Sequence, residues 1–137
     1  MYEYMFIKEV KKINLLQLFE AHAELCKSLS SPKRLMIIAM LSEGEANVTE
    51  ISKTIDARPS TVSQHLAILR SHNLVDTRKE GKTIFYSLSD KRLGDACSII
   101  RQILYETMKK QGNFAKEISI ESNFLCFKTK NNFRRLP

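Results

Sequence analysis

The segment from Pro59 to Arg70 constrains the fold more than any other part of this chain. Its apolar residues at 62, 66 and 69 recur at helical spacing and predict one buried stripe. The Pro-Ser start predicts a helix N-terminus with Ser60 as the N-cap. The exposed positions of the first turns carry hydrogen-bonding groups without an acid, at Ser60, Thr61, Ser63, Gln64 and His65, and Arg70 follows.

A helix with this face has two interpretations. Neutral hydrogen-bonding side chains backed by a cation suit insertion into the major groove of double-stranded DNA. An ordinary amphipathic surface helix shows the same apolar spacing. The segment alone leaves both open, so the neighbouring segments have to decide.

The upstream neighbour predicts a second, shorter helix. Val48, Ile51 and Ile55 lie at helical spacing. Pro59 disfavours helical backbone in the residue before it, so 56–59 should close this helix. Two short helices joined by a tight turn predict a helix-turn-helix whose second helix reads the DNA.

The downstream neighbour predicts a β-hairpin. Residues 83–88 favour a strand, and Gly81 separates them from a second strand-like run at 74–80. Residues 58–92 hold seven Lys or Arg against three Asp or Glu, whereas residues 1–57 hold seven against eight. A basic hairpin after a reader helix is typical of a wing that contacts phosphates, here with Arg78, Lys79 and Lys82 around its tip.

Residues from about Ala23 to Glu106 resemble the ArsR/SmtB family of winged-helix repressors. The resemblance implies a mainly α fold with a β-hairpin wing (α+β), a winged helix-turn-helix that dimerises through its first and last helices. It also implies a homodimer bound to a palindromic operator, which would place the two reader helices about 34 Å apart. Asn73 stands where the family usually has glycine, and asparagine tolerates left-handed backbone. The matching residues are Leu29–Leu35, Val48–Ile51, Ser60–Leu66, Leu69–Arg70, Leu74–Val75 and Phe85–Leu88.

Three segments are expected along the chain. An N-terminal extension covers 1–13, the DNA-binding and dimerisation domain covers 14–110, and a basic, mostly unordered tail covers 111–137. Within the domain, helices are expected over 14–29, from Ser31-Pro32 to near Gly44, and from Ser89-Asp90 to about Met108. The last helix carries more apolar residues than a domain of this size can bury, which favours burial against a second copy.

The search for a sensing site leaves one pair of thiols. The family's metal site on the last helix is missing, because Asp95 is followed by Cys97 and no histidine lies beyond residue 72. The sequence is most similar to the HlyU/BigR/SqrR branch, whose cysteine pair falls at Ala39 and Tyr105 here. Cys26 and Cys97 remain, either as a switch responding to oxidants or reactive sulfur or as inert packing. No metal or cofactor is expected, and the inducer is not identified.

The remaining features exclude several classes of protein. No glycine-rich phosphate loop, nucleophile elbow or clustered acid pair is present, so an enzyme is not expected. No apolar run approaches the roughly 20 residues that cross a membrane. Three widely spaced cysteines predict no disulfide framework and fit a reducing cytoplasm. The open alternative is a winged-helix protein that acts through protein or RNA partners without an operator of its own.

Overall fold

The computed structural model describes residues 14–112 of the 137-residue chain. The expected extension at 1–13 and all of the expected tail beyond Gly112 lie outside the described residues. No helix within 14–112 is long and apolar enough to cross a membrane. The elements run in the order α1 (Leu15–Ser28), α2 (Pro32–Leu41), β1 (Ala46–Asn47), α3 (Val48–Ile55), α4 (Pro59–Ser71), β2 (Val75–Glu80), β3 (Thr83–Leu88) and α5 (Lys91–Lys110).

Local capping explains where most of these helices begin. Asn14 accepts a 2.8 Å hydrogen bond from the backbone of Gln17, whose side chain accepts one from the backbone of Asn14 in return. Ser31 caps α2, with Pro32 in the first helical position, where no backbone donor is needed. Asp90 caps α5 in the same way. These boundaries confirm the three helices expected outside the helix-turn-helix.

The turn between α3 and α4 differs in detail from the sequence expectation. Helix α3 ends because Asp56 adopts left-handed backbone, with φ 51° and ψ 59°. Arg58 is extended, as a residue before proline should be, and it is the N-cap of α4. The prediction that Ser60 caps this helix was wrong, because Pro59 already takes the first helical position. Ser60 therefore lies inside the first turn, and no side chain caps α4.

One hydrophobic core connects the helices to the sheet. The central residues of α2 are fully buried, as their almost continuous apolar run predicts. The helix-turn-helix packs on them through one stripe from each of its helices. The largest fully buried side chains are Ile37, Ile38, Ile51, Val62, Leu66, Leu69 and Val75.

The hairpin is part of a three-stranded antiparallel sheet in the order β1-β3-β2. Strands β2 and β3 pair in register from Val75–Leu88 to Glu80–Thr83. Gly81, with φ 60°, makes the left-handed turn that a two-residue hairpin loop requires. Asn73 has φ 57°, which confirms that asparagine replaces glycine there without a change of backbone. The sequence pattern missed β1, because two residues are too short to show alternation.

The first and last helices expose apolar side chains that this chain does not cover by itself. Leu15 and Phe19 are 69% and 61% exposed on α1, and Ile103 is 57% exposed on α5. Helix α1 reaches the core only through its C-terminal end, where Leu25 and Leu29 pack against it. The described part of the chain therefore carries an apolar surface along both terminal helices.

Candidate nucleic-acid interface

Helix α4 presents a polar line on the side opposite its buried stripe. Residues 60, 64, 67 and 71 follow one another at helical spacing, and all are exposed. Gln64 lies at the centre of this line, with Ser63 exposed beside it and Thr61 half-buried on the other flank. Arg70 is exposed in the last turn. The residues predicted to read bases therefore share one accessible face.

His65 is the exception among them, because its imidazole faces the protein as well as the solvent. The guanidinium of Arg34 in α2 lies with Nη1 3.3 Å from Nδ1 of His65. A guanidinium can only donate, so Nδ1 must accept and the ring proton is assigned to Nε2. Burial, followed by the charges of Arg34 and Lys33, lowers the pKa of His65 from its ordinary value of 6.5. His65 is thus neutral in the fold, and only Nε2 is left to meet DNA.

A second cation of α2 holds the other helix of the helix-turn-helix. Lys33 Nζ donates to the backbone oxygens of Ile55 at 2.7 Å and of Asp56 at 3.4 Å. These are carbonyls at the end of α3 that have no partner within that helix. A cation at a helix C-terminus is also favoured by the helix dipole. Lys33 and Arg34 together therefore fix both reading-motif helices to α2.

The wing separates its three cations into two kinds. Lys79 and Lys82 are exposed at the hairpin tip. Arg78 instead bonds to Glu45 and, at 2.9 Å, to Glu80. Its guanidinium also lies 4.9 Å from the ring centroid of Phe85. The Glu45 and Glu80 hydrogen bonds raise the pKa of Arg78 still further, and its charge is largely neutralised by these two carboxylates.

The two thiols considered as a switch lie in different surroundings. Cys26 is exposed on α1, whereas Cys97 is 6% exposed on α5. Burial, and to a lesser degree the charge of Cys26, raises the pKa of the Cys97 thiol against the opposing charge of Arg101. Cys97 is therefore a thiol rather than a thiolate at neutral pH. Across residues 14–112, no group of three or more His, Cys, Asp or Glu side chains could hold a metal ion.

Sequence reasoning missed Lys33, Arg34 and Glu45 as parts of this surface. A local signal for the first two did exist. Two adjacent cations in the first turn of a helix are opposed by the helix dipole, so they indicate partners on another element. Neither partner could be named from the sequence, because His65 lies 31 residues from Arg34 and Ile55 lies 22 residues from Lys33.

Comparisons with known proteins agree with this geometry. Residues 31–77, from the start of α2 into β2, match the family model described as "Bacterial regulatory protein, arsR family". The chain is 44% identical over 70 residues to a "Biofilm growth-associated repressor" of Agrobacterium fabrum, covering 51% of this chain and 60% of that one. It thus spans less than two thirds of that relative's length.

Two further matches cover more of the related protein. The "Transcriptional activator HlyU" of Vibrio cholerae is 38% identical over 79 residues, which is 58% of this chain and 73% of that one. The crystal structure of "the transcriptional repressor BigR from Xylella fastidiosa" superimposes with a TM-score of 0.60 at 33% identity, covering 69% of this chain and 96% of that one. The fold is the winged helix-turn-helix that the sequence predicted. The chain belongs to the arsR family of bacterial regulatory proteins, which are DNA-binding transcription regulators and not enzymes.

Proposed function

We propose that this protein represses transcription by binding an imperfect palindromic operator as a homodimer. The observation that carries the proposal is the pairing of two surfaces on one domain. One is the polar face of α4 beside the basic wing tip, and the other is the exposed apolar surface of α1 and α5. The first fits a half-site, and the second fits another copy of the chain.

The apolar surface supports a homodimer on physical grounds. Contiguous exposed apolar side chains on a small domain mark a surface that is covered in use. A twofold dimer built on the two terminal helices would present two reader helices to the same side of a DNA duplex. Half-sites about one helical turn apart would then match the protein's own symmetry.

The polar surface supports a division of roles between bases and phosphates. On α4, Ser60, Thr61, Ser63, Gln64 and the free side of His65 are proposed to meet base edges, with Arg70 at the backbone. At the wing, Lys79 and Lys82 are proposed to meet phosphates. Arg78 is a weaker candidate than the sequence suggested, because Glu45 and Glu80 already hold its guanidinium.

The testing experiment selects bound fragments from the source genome and measures the stoichiometry of the complex by sedimentation. We expect recovery of fragments sharing an inverted repeat, bound by two chains, in the presence of excess bulk DNA at physiological salt. A stable monomer at micromolar concentration, with and without the selected DNA, would overturn the homodimer. Binding that bulk DNA competes away would favour the alternative of protein or RNA partners. Transcription from a selected promoter decides the sign, because relatives named as a repressor and as an activator both occur.

A thiol response is a second, separate candidate, favoured by the placement of Cys26 and Cys97 on the two terminal helices. Loss of two electrons and two protons to an added oxidant, or insertion of sulfur from a polysulfide, would link them covalently and bias one dimer geometry. The raised pKa of Cys97 opposes the reaction. The test is a gel shift of wild type, Cys26→Ser and Cys97→Ser, each reduced and polysulfide-treated. DNA release in the wild type alone supports the switch, and equal behaviour of all three assigns both cysteines to packing.

A further inference from the structure

Arg34 connects two parts of the molecule that have separate tasks in the proposed function. Its Nε donates to the backbone oxygen of Ser28, the last residue of α1. Its Nη1 donates to Nδ1 of His65 in α4. One half-buried guanidinium therefore joins the helix proposed to dimerise with the helix proposed to read DNA.

The connection is well suited to transmit a displacement. The guanidinium is planar and rigid, so movement of one bonded partner requires movement of the other or loss of a hydrogen bond. Ser28 is buried, and its side chain donates to the backbone oxygen of Leu25 at 2.6 Å, so the anchored end of α1 is itself ordered. The bond to His65 acts on the flank of α4, between its buried stripe and its polar face, where it opposes rotation of the helix about its axis.

Helix α1 has few other routes to the reader helix. Its N-terminal half is exposed, and only its last turn, around Leu25 and Leu29, packs against the core. A change in how α1 meets a second copy would therefore reach the rest of the domain through that turn. Arg34 is bonded directly to it.

We propose that Arg34 is a positioning residue that couples the end of α1 to the orientation of α4, so that the dimer arrangement governs how the reader helix meets DNA. The proposal rests on the proposed function. It assigns Arg34 no contact with DNA. It therefore predicts that substitution changes selectivity for the operator without changing the electrostatic attraction that all DNA sequences share.

The first experiment measures binding of the full chain to a selected operator and to random DNA. Arg34→Lys keeps the charge but cannot span both partners, and we expect operator affinity to fall roughly tenfold, as for one lost buried hydrogen bond. Affinity for random DNA and the salt dependence should stay as in wild type. Arg92→Lys is the matched control, because Arg92 bonds only to Asp90 at the start of its own helix and should leave both affinities unchanged.

Variants of His65 separate positioning from direct contact. His65→Asn places an amide oxygen near the position of Nδ1 and should retain most operator affinity, whereas His65→Leu should lose as much as Arg34→Lys. The double variant Arg34→Lys with His65→Leu should bind no more weakly than either single variant, because the same connection is already lost. Additive losses would mean that His65 acts on DNA independently of Arg34, and would overturn the proposal.

Amide hydrogen exchange supplies a readout without DNA. In Arg34→Lys we expect exchange to speed up roughly tenfold at the end of α1 and in the first two turns of α4. The end of α3, which Lys33 holds, should keep its wild-type rate. Uniform acceleration or none would overturn the coupling. If wild type selects no DNA, the proposed function fails first. If wild type selects DNA and Arg34→Lys binds it equally well, the coupling alone fails. Should Arg34→Lys not fold, His65→Leu provides the same comparison.

Discussion

Gln64 lies at the centre of the exposed line of α4, and its amide can donate and accept at one base. We expect Gln64→Ala to cost roughly 1–3 kcal/mol of binding free energy on the selected operator and much less on random DNA, with a smaller loss for Ser63→Ala. Fluorescence anisotropy with both DNAs measures the two free energies. Equal weakening on both would show that this face does not read bases.

His65 also gives the fold a dependence on pH. Its pKa is lowered in the folded state, so the unfolded chain takes up a proton first as the pH falls below about 6.5. This residue's contribution to the free energy of unfolding is complete above pH 6.5 and is lost as the pH falls through the folded pKa. Denaturant unfolding from pH 7.5 to 5 should show a decline that His65→Asn removes. A decline of the same size in that variant would assign it to other groups.

Among the elements, α5 and α2 approach closely at one glycine. A Cβ added at Gly94 would overlap Oγ of Ser42 and lie 3.0 Å from its Cβ. Alanine is the better helix former by about 1 kcal/mol, but overpacking costs more. We expect Gly94→Ala to lower the free energy of unfolding by about 1–3 kcal/mol. Adding Ser42→Ala should recover part of the loss in urea denaturation, and a Gly94→Ala protein as stable as wild type would refute the close contact.

The wing tests the distinction between its free and its paired cations. Lys79→Ala and Lys82→Ala should weaken operator and random DNA alike and reduce the slope of log affinity against log salt by about one each. Arg78→Ala should change that slope less, because Glu45 and Glu80 already balance its charge. Lys109→Ala, at the far end of α5, is the control. An Arg78→Ala slope change equal to that of the lysines would place Arg78 on phosphate.

For the whole molecule, the apolar surface of the terminal helices decides the oligomeric state. Ile100 is 56% exposed on α5. We expect Ile100→Glu to convert the dimer to a monomer at micromolar concentration, because a buried unpaired carboxylate at the interface is costly. Ile84→Glu, which alters an exposed isoleucine of the wing instead, should sediment as wild type does. An Ile100→Glu protein that remains dimeric would move the interface elsewhere.

The sequence by itself determined the helices, the hairpin and the shared direction of the reading side chains. Caps such as Asn14, Ser31 and Asp90 act within four residues of the backbone that they satisfy, so their effect is visible in the pattern. The buried stripe of α4 likewise follows from helical spacing alone. Ser60 failed as a cap because Pro59 had already fixed the first helical position.

Tertiary structure alone decided which charged groups are available and which are committed. Arg78 and Glu45 are 33 residues apart in sequence, and Arg34 and His65 are 31 apart. Nothing local to either residue specifies such a partner, because the distance between them is set by how α2, α4 and the wing pack on one core. The same chain pattern would fit a wing with three free cations and a reader helix with five free polar groups. Packing commits Arg78 to the carboxylates of Glu45 and Glu80, and Nδ1 of His65 to Arg34.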